Sequence, residues 1–166
     1  MTKKVGIIMG SASDLPVVQK AMDTLSSLQI PFEAHIYSAH RTPEQAAEFA
    51  RTARENGFGV LIAAAGMAAH LAGVLASKTT LPVIGIPCKS NTLDGIDALL
   101  ATVQMPSGIP VATVAIDGAV NAALLAAQML GIEDPELARK LDAKRRADTE
   151  AVLEKDRALS QQFGQA

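Results

Sequence analysis

The stretch KVGIIMGSASDLP, residues 4–16, joins a short apolar run to a glycine turn and the start of a helix. A continuous run of apolar, largely β-branched residues is typical of a strand buried on both faces. Four similar runs follow along the chain. The five predicted strands are Lys4–Met9, Phe32–Tyr37, Gly59–Ala63, Pro82–Ile86 and Val111–Ile116. Because helical patterns separate these runs, the sequence predicts a mostly parallel sheet built from strand–helix units.

The segments between the strands carry the spacing or the end signals of helices. The first helix is indicated by apolar residues at helical spacing: Val18, Met22, Leu25 and Leu28. Thr42 and Pro43 mark the start of the second, as N-cap and first helical residue. The next three predicted helices are Ala68–Lys78, Thr92–Thr102 and Val120–Leu130. Together these elements predict an α/β fold, a three-layer αβα sandwich of the flavodoxin or Rossmann type around a five-stranded sheet.

A long charged helix is predicted from Asp134 to about Ser160. Its apolar residues are sparse, so we expect it to cap the domain or to reach a neighbouring molecule. The length of 166 residues fits one domain of ordinary size. We therefore interpret residues 1–132 as a single α/β catalytic domain and residues 133–166 as a C-terminal helical extension of it.

Composition narrows the classes of function. The chain has 15 Lys and Arg against 17 Asp and Glu, which argues against a nucleic-acid partner. Residues 56–77 carry no charge, but their glycines and His70 favour a strand, a loop and a helix over a membrane span. We expect no membrane partner. The lone Cys88 excludes a disulfide framework and a multi-cysteine zinc site, and it favours a reducing cytoplasm.

Residues 118–132 also carry no charge, and the helix predicted within them is apolar on every side. A helix of this kind must be buried all round. In a three-layer domain its outer face needs a cover, which is either a second copy of the chain or the C-terminal helix. The first alternative predicts a homo-oligomer.

The loop after the first strand offers a site for an anion. Backbone N–H groups at a helix start attract phosphate, and the hydroxyls of Ser11 and Ser13 add donors. Asp14 could accept hydrogen bonds from ribose hydroxyls. The alternative is that Ser13 or Asp14 only caps the helix. Because the loop lacks both the dinucleotide fingerprint and the P-loop ending, it indicates a ligand with one phosphate and a sugar.

The next two loops add titratable and cationic groups. In SAHRTP, residues 38–43, His40 and Arg41 follow a strand directly, as a proton-transfer group and a phosphate-binding cation would. A solvated surface pair is the alternative. In AAAGMAAHLAG, residues 63–73, the apolar setting of His70 favours a packed core or interface histidine. His35 lies within a strand and is also interpreted as packed. Three dispersed histidines and one cysteine predict no metal site.

Several strings between residue 5 and about residue 128 resemble the class I PurE family of purine biosynthesis. They are VGIIMGSASD, YSAHRTPE, AAHLAG, LPVIGIP, QMPSGIPVATVAI and NAALLAAQ, in the order and spacing of the family. The resemblance implies an isomerase acting on a phosphoribosyl-aminoimidazole substrate. That activity moves a carboxylate from the exocyclic nitrogen of N5-carboxyaminoimidazole ribonucleotide to ring carbon C4 through trapped CO2. Two departures are visible, since Met67 replaces a usual Gly and Ala72 a usual Pro.

The resemblance also implies roles for individual residues. It makes His40 the general acid/base, and it places Ser11, Asp14 and Arg41 on the phosphoribosyl group with Ser13 assisting. The further substrate-binding residues that it implies are Ser38, Ala65, Gly66, His70 and Leu71. It implies no cofactor, no metal, a cytoplasmic location and a homo-octamer. Two alternatives stay open, namely a class II carboxylase that uses free CO2 and a non-catalytic nucleotide-binding sensor.

Overall fold

A computed structural model describes residues 3–163 of the chain. Residues 1–2 and 164–166, at the ends of the two predicted segments, lie outside the described residues. The strands are β1 (Lys4–Met9), β2 (Phe32–Ile36), β3 (Phe58–Gly66), β4 (Val83–Cys88) and β5 (Ala112–Thr113). The α-helices are α1 (Leu15–Ser27), α2 (Pro43–Thr52), α3 (Leu71–Ala76), α4 (Ile96–Val103), α5 (Ala119–Gly131) and α6 (Pro135–Phe163). A short 3-10 turn, Ala12–Asp14, joins β1 to α1.

The five strands form one sheet in the order β2-β1-β3-β4-β5, and every pair is parallel. The predicted three-layer α/β fold with a long C-terminal helix is therefore confirmed. Met9 at the end of β1 pairs with Ile36 on one side and with Ala64 on the other. This register brings the loops after β1, β2 and β3 to one edge of the sheet, where the strand order reverses.

Each face of the sheet carries its own apolar core, because successive side chains of a strand point to opposite faces. On one face, Ile7 and Ile62 pack with α1, α5 and the start of α6. On the other, Ile8 and Leu61 pack with α2 and α3. All four side chains are fully buried. These two cores hold the strands rigidly, so the loops at the carboxyl edge start from fixed positions.

The predicted strand character differs from the structure at both edges of the sheet. β2 is not buried on both faces, since Glu33, Ala34 and Ile36 are exposed. An edge strand has a neighbour on one side only, which explains this exposure. β5 is shorter than the predicted Val111–Ile116, and its ladder covers only Ala112–Thr113. β3 is longer than predicted, because it pairs with β4 as far as Gly66 and Cys88.

Two helices begin later than their patterns predict. The segment predicted to start α3 at Ala68 instead makes two tight turns, with Ala69 N–H donating to Met67 O at 2.8 Å and His70 N–H to Ala68 O at 2.8 Å. The segment predicted to start α4 at Thr92 contains Asp94 and Gly95, whose φ angles of 52° and 92° are incompatible with a right-handed helix.

The outer face of α5 is covered only in part by its own chain. Leu137, on the first turn of α6, is buried and Leu141 is partly buried against the same core. Ala123 is fully buried, whereas Val120 is exposed. Beyond residue 144, α6 is exposed along its whole described length. Among residues 3–163, none of the helices combines the length and hydrophobicity that crossing a bilayer requires.

Candidate active site

Four loops at the carboxyl edge of the sheet enclose a cavity of about 580 Å³. This volume lies within the range of small-molecule sites. Its walls include nine of the ten predicted site residues: Ser11, Ser13, Asp14, Ser38, His40, Arg41, Ala65, Gly66 and Leu71. The tenth, His70, lies behind His40 and contacts its ring. The structure thus brings together residues that are up to 60 positions apart in the chain.

The β1 loop is held by a reciprocal pair of capping hydrogen bonds. Ser11 Oγ accepts from Ser13 N–H at 3.3 Å, and Asp14 Oδ2 accepts from Ser11 N–H at 3.1 Å. Burial raises the pKa of the Asp14 carboxyl, opposed by the Ser11 N–H and reinforced by the charge of Asp117. Ser11 and Asp14 therefore cap the 3-10 turn and also line the cavity. Asp14 is the N-cap of α1, but its side chain makes no hydrogen bond that caps this helix, so the predicted helix cap is not what the structure shows.

The β2 loop is organised by Ser38. Its Oγ accepts from the backbone N–H groups of His40 at 3.3 Å and Arg41 at 3.2 Å. Thr42 is the N-cap of α2, but its hydroxyl does not cap the helix and instead accepts from Ser38 N–H at 2.8 Å. Arg41 Nη2 donates to the carbonyl of Gly10 at 3.2 Å, which ties the β2 loop to the β1 loop.

The two histidines of the site form a pair. His40 Nε2 lies 2.9 Å from His70 Nδ1, and the rings meet edge to face with centroids 5.0 Å apart. In this hydrogen bond one ring nitrogen donates and the other accepts, and the tautomers of the two rings decide which is the donor. His70 is exposed in the chain, so it is not a core histidine, and its interpretation as an interface histidine stays a prediction. His35 does pack, stacking on Tyr37 with centroids 5.1 Å apart.

Residues beyond the ten predicted ones also shape the cavity. Lys89 and Met67 line it, and Asp117 fixes the position of Lys89 by accepting its backbone N–H at 2.9 Å. Met67 and Asp117 have φ angles of 52° and 56°, in the left-handed region that costs an ordinary side chain about 1–2 kcal/mol. For Met67 the departure from the usual glycine was a visible signal, and the backbone angle explains why glycine suits that position.

Cys88 lies beneath the cavity at the end of β4 and is buried. Burial, followed by the charges of Asp14 and Asp117, raises the pKa of its thiol to about 12. A thiol with this pKa is neutral near pH 7, which argues against a nucleophilic role. Within residues 3–163, no group of three or more His, Cys, Asp or Glu side chains is placed to hold a metal ion.

A larger cavity of about 940 Å³ lies at the opposite edge of the sheet, beside the first residues of β4 and β5. Arg51 and Arg54 contribute to its walls, but none of the predicted site residues does. Since parallel sheets bind ligands at their carboxyl edge, the smaller cavity is the candidate active site.

A family model described as AIR carboxylase matches residues 4–151. The chain is 59% identical over 152 residues to the N5-carboxyaminoimidazole ribonucleotide mutase of Pyrococcus horikoshii, covering 89% of this chain and 86% of that one. It is 56% identical over 156 residues to the Bacillus subtilis mutase of the same name, covering 93% and 96%. Among solved structures it is similar to Treponema denticola PurE, with a TM-score of 0.84, 29% identity, and coverage of 94% and 98%.

Proposed function

This chain belongs to the AIR carboxylase family, and we propose that it is an N5-carboxyaminoimidazole ribonucleotide mutase of purine biosynthesis. The reaction is an isomerisation that yields 4-carboxy-5-aminoimidazole ribonucleotide. One observation carries the proposal, which is the hydrogen-bonded pair of His40 and His70 beside a cavity lined by hydroxyls and the Arg41 guanidinium. A proton-transfer group and a phosphate site are what this reaction requires of the protein.

The phosphoribosyl group occupies the side of the cavity formed by the β1 and β2 loops. Arg41 supplies a charge and a planar set of donors to the phosphate, and the hydroxyls of Ser11, Ser13 and Ser38 add further donors. Asp14 accepts from the ribose hydroxyls once it is ionised. Because the loops are tied to each other through Arg41 and Gly10, this end of the site is preorganised.

The imidazole of the substrate lies against the end of β3. Ala65 and Gly66 pair with Pro87 and Cys88 in the ladder, and their small side chains leave room for a flat ring. Leu71 closes this part of the wall with an apolar surface. Carbon dioxide trapping requires that water is kept away from the reacting atoms, and an apolar wall favours this.

His40 moves the proton. When the C–N bond breaks, carbon dioxide leaves and its electron pair stays on the exocyclic nitrogen, which takes a proton from His40. Ring carbon C4 then attacks the carbon dioxide, and the proton that C4 loses returns to His40. His70 accepts a hydrogen bond from the protonated ring of His40 through its Nδ1 and so holds the ring in place.

The test uses purified chain and N5-carboxyaminoimidazole ribonucleotide without ATP or added bicarbonate, with the product followed by absorbance. We expect turnover by the wild type and a fall of about 100-fold or more in kcat for His40→Asn. His35→Asn, which alters a histidine stacked on Tyr37, is the matched control and should stay active. Binding without turnover would indicate a nucleotide sensor, and activity only with the decarboxylated substrate and bicarbonate would indicate a class II carboxylase.

We also propose that the enzyme is a homo-oligomer, and specifically a homo-octamer as the resemblance implies. An exposed apolar face on and just before α4 supports assembly. Its members are Leu93, Ile96, Leu100 and Val103. Light scattering should give several times 17.3 kDa, and Leu100→Glu should lower that mass. Ala123 of α5 is fully buried in its own chain, so a substitution there would report on folding and not on assembly.

The proposed location is the cytoplasm, which the single reduced cysteine supports. Cell fractionation followed by the mutase assay tests this, and activity outside the cytoplasmic fraction would contradict it.

A further inference from the structure

Met67 occupies a conformation that its side chain makes unfavourable. Its φ angle is 52°, and the residue is 60% exposed on the cavity wall. Packing against the rest of the chain therefore does not compensate for the backbone strain. Strain that is not offset by burial is typical of positions retained for a functional reason.

The loop that carries Met67 also carries His70. Ala69 N–H donates to Met67 O at 2.8 Å, His70 N–H donates to Ala68 O at 2.8 Å, and the His70 ring is bonded to His40. On its other side, Met67 follows Gly66, which is paired with Cys88 in the sheet. The side chain of Met67 thus starts from a backbone that is fixed at both ends, beside the proton-transfer pair.

The surroundings of Met67 on the cavity wall are small. Ala65, Gly66 and Ala68 line the same part of the cavity and leave space above the end of β3. A methionine side chain is long, apolar and flexible, so it can cover such a space and adapt to what lies beneath it. Glycine at this position would leave the mouth open.

We propose that the Met67 side chain covers the reactive end of the cavity, holds the released carbon dioxide and keeps water out. This inference rests on the proposed mutase function. After the C–N bond breaks and the nitrogen has taken the proton of His40, the site contains the aminoimidazole ribonucleotide and one CO2. If the CO2 escapes before C4 attacks it, the net reaction is decarboxylation, which consumes one proton and forms no C–C bond. With the Met67 side chain over the cavity, attack of C4 on the carbon dioxide is faster than escape of the carbon dioxide.

The experiment measures the fate of the carboxylate. N5-carboxyaminoimidazole ribonucleotide labelled with carbon-13 in its carboxylate is supplied with excess unlabelled bicarbonate and carbonic anhydrase. The label retained in the C4 product and the aminoimidazole ribonucleotide released are then quantified for each variant. We expect the wild type and Met67→Leu to retain the label. Met67→Gly and Met67→Ala should release at least several-fold more decarboxylated product per turnover.

Two comparisons distinguish the effect of the Met67 side chain from the effect of a changed backbone. Met67→Ala removes the long side chain but keeps a residue with a strained backbone. If Met67→Ala retains the label while Met67→Gly releases carbon dioxide, the effect comes from the stiffness of the loop, and the proposal is overturned. Gln29, with a φ of 59° and far from the site, provides the matched control. Gln29→Gly should relieve strain in the same way and retain the label, although it also removes the bond from Lys140 Nζ to Gln29 Oε1 at 2.7 Å. Met67→Gly, which loses no such bond, should not have a lower Tm than the wild type.

The remaining outcomes are also decisive. Full label retention by both Met67→Gly and Met67→Ala would overturn the proposal, as would a lower assembled mass of these variants in light scattering, because Met67 would then be an assembly contact. Failure of the proposed function looks different, since in that case the wild type itself makes no labelled C4 product.

Discussion

Replacing Arg41 with alanine removes the one guanidinium from the cavity wall. The loop should survive the change, because the backbone N–H of residue 41 still donates to Ser38 Oγ, at 3.2 Å in the wild type. The other cation on the wall, Lys89, already pairs with Asp94 at 3.2 Å. No carboxylate of residues 3–163 forms such an ion pair with Arg41, so its charge is available to a phosphate.

The expected loss follows from the contact that disappears. A hydrogen bond between charged groups contributes about 1.5–3 kcal/mol, because the attraction between the charges exceeds the cost of removing water from both partners. At about 1.4 kcal/mol for each factor of ten, the KM for the substrate should rise roughly 10- to 150-fold. The bond from Arg41 to Gly10 O, at 3.2 Å, is also lost. Gly10 is only partly buried, so water can replace that donor and the Tm should change little.

The assay compares KM and the inhibition constant of inorganic phosphate for the wild type and Arg41→Ala. Arg54→Ala is the matched control, since Arg54 Nη2 donates to Thr80 Oγ1 at 3.0 Å beside the cavity at the opposite edge. Added salt should weaken phosphate inhibition of the wild type more than that of Arg41→Ala, because an exposed charge is screened. An unchanged KM together with unchanged phosphate inhibition would refute the assignment, and so would an equal effect of the control.

Three further outcomes are expected. Folding raises the pKa of Asp14, so the contribution of this carboxyl to stability is greatest at low pH and declines as pH rises from 3.8 through the folded pKa. Asp14→Asn should therefore stabilise the ligand-free chain more near pH 7 than near about pH 4, as measured by thermal unfolding. Cys88, buried and with a pKa raised to about 12, should resist alkylation by iodoacetamide until denaturant is added, and rapid labelling of the folded chain would contradict this. Gly85→Ala would place a Cβ 2.3 Å from Thr102 Cγ2 and should lower the free energy of unfolding by about 1–3 kcal/mol. In denaturant titrations Gly131→Ala, with its nearest atom at 3.5 Å, should stay close to the wild type, and equal losses for the two would argue against overpacking.

The strands could be predicted from the sequence because a strand buried on both faces requires a continuous run of apolar residues. Lys4–Met9 is observed with the predicted bounds, since its apolar run begins after a charged pair and ends at a glycine. The loops at the carboxyl edge could also be predicted, because polar residues interrupt the apolar runs there. The edge position of β2 was not readable, because an apolar run does not say how many neighbours a strand has.

The site residues were predicted partly from chemistry and partly from resemblance. His40 and Arg41 stood out because a titratable and a cationic side chain directly follow a strand. The interpretation of His70 as a core residue was wrong, because its flanking Ala and Leu residues resemble a packed helix and its partner lies 30 positions away in the chain. Its interpretation as an interface residue stays a prediction. The catalytic and binding roles of these residues stay predictions until the variants are measured.

The sequence by itself determined which segments form strands and helices and which loops carry the polar groups, because periodicity and burial preferences act over a few residues. Only the tertiary structure decided the strand order, the contact of His40 with His70 and the left-handed backbone of Met67. These depend on which strands pair and in what register, and pairing is settled by the packing of the whole sheet against its helices. A local sequence pattern does not indicate which distant residues the fold brings into contact with it.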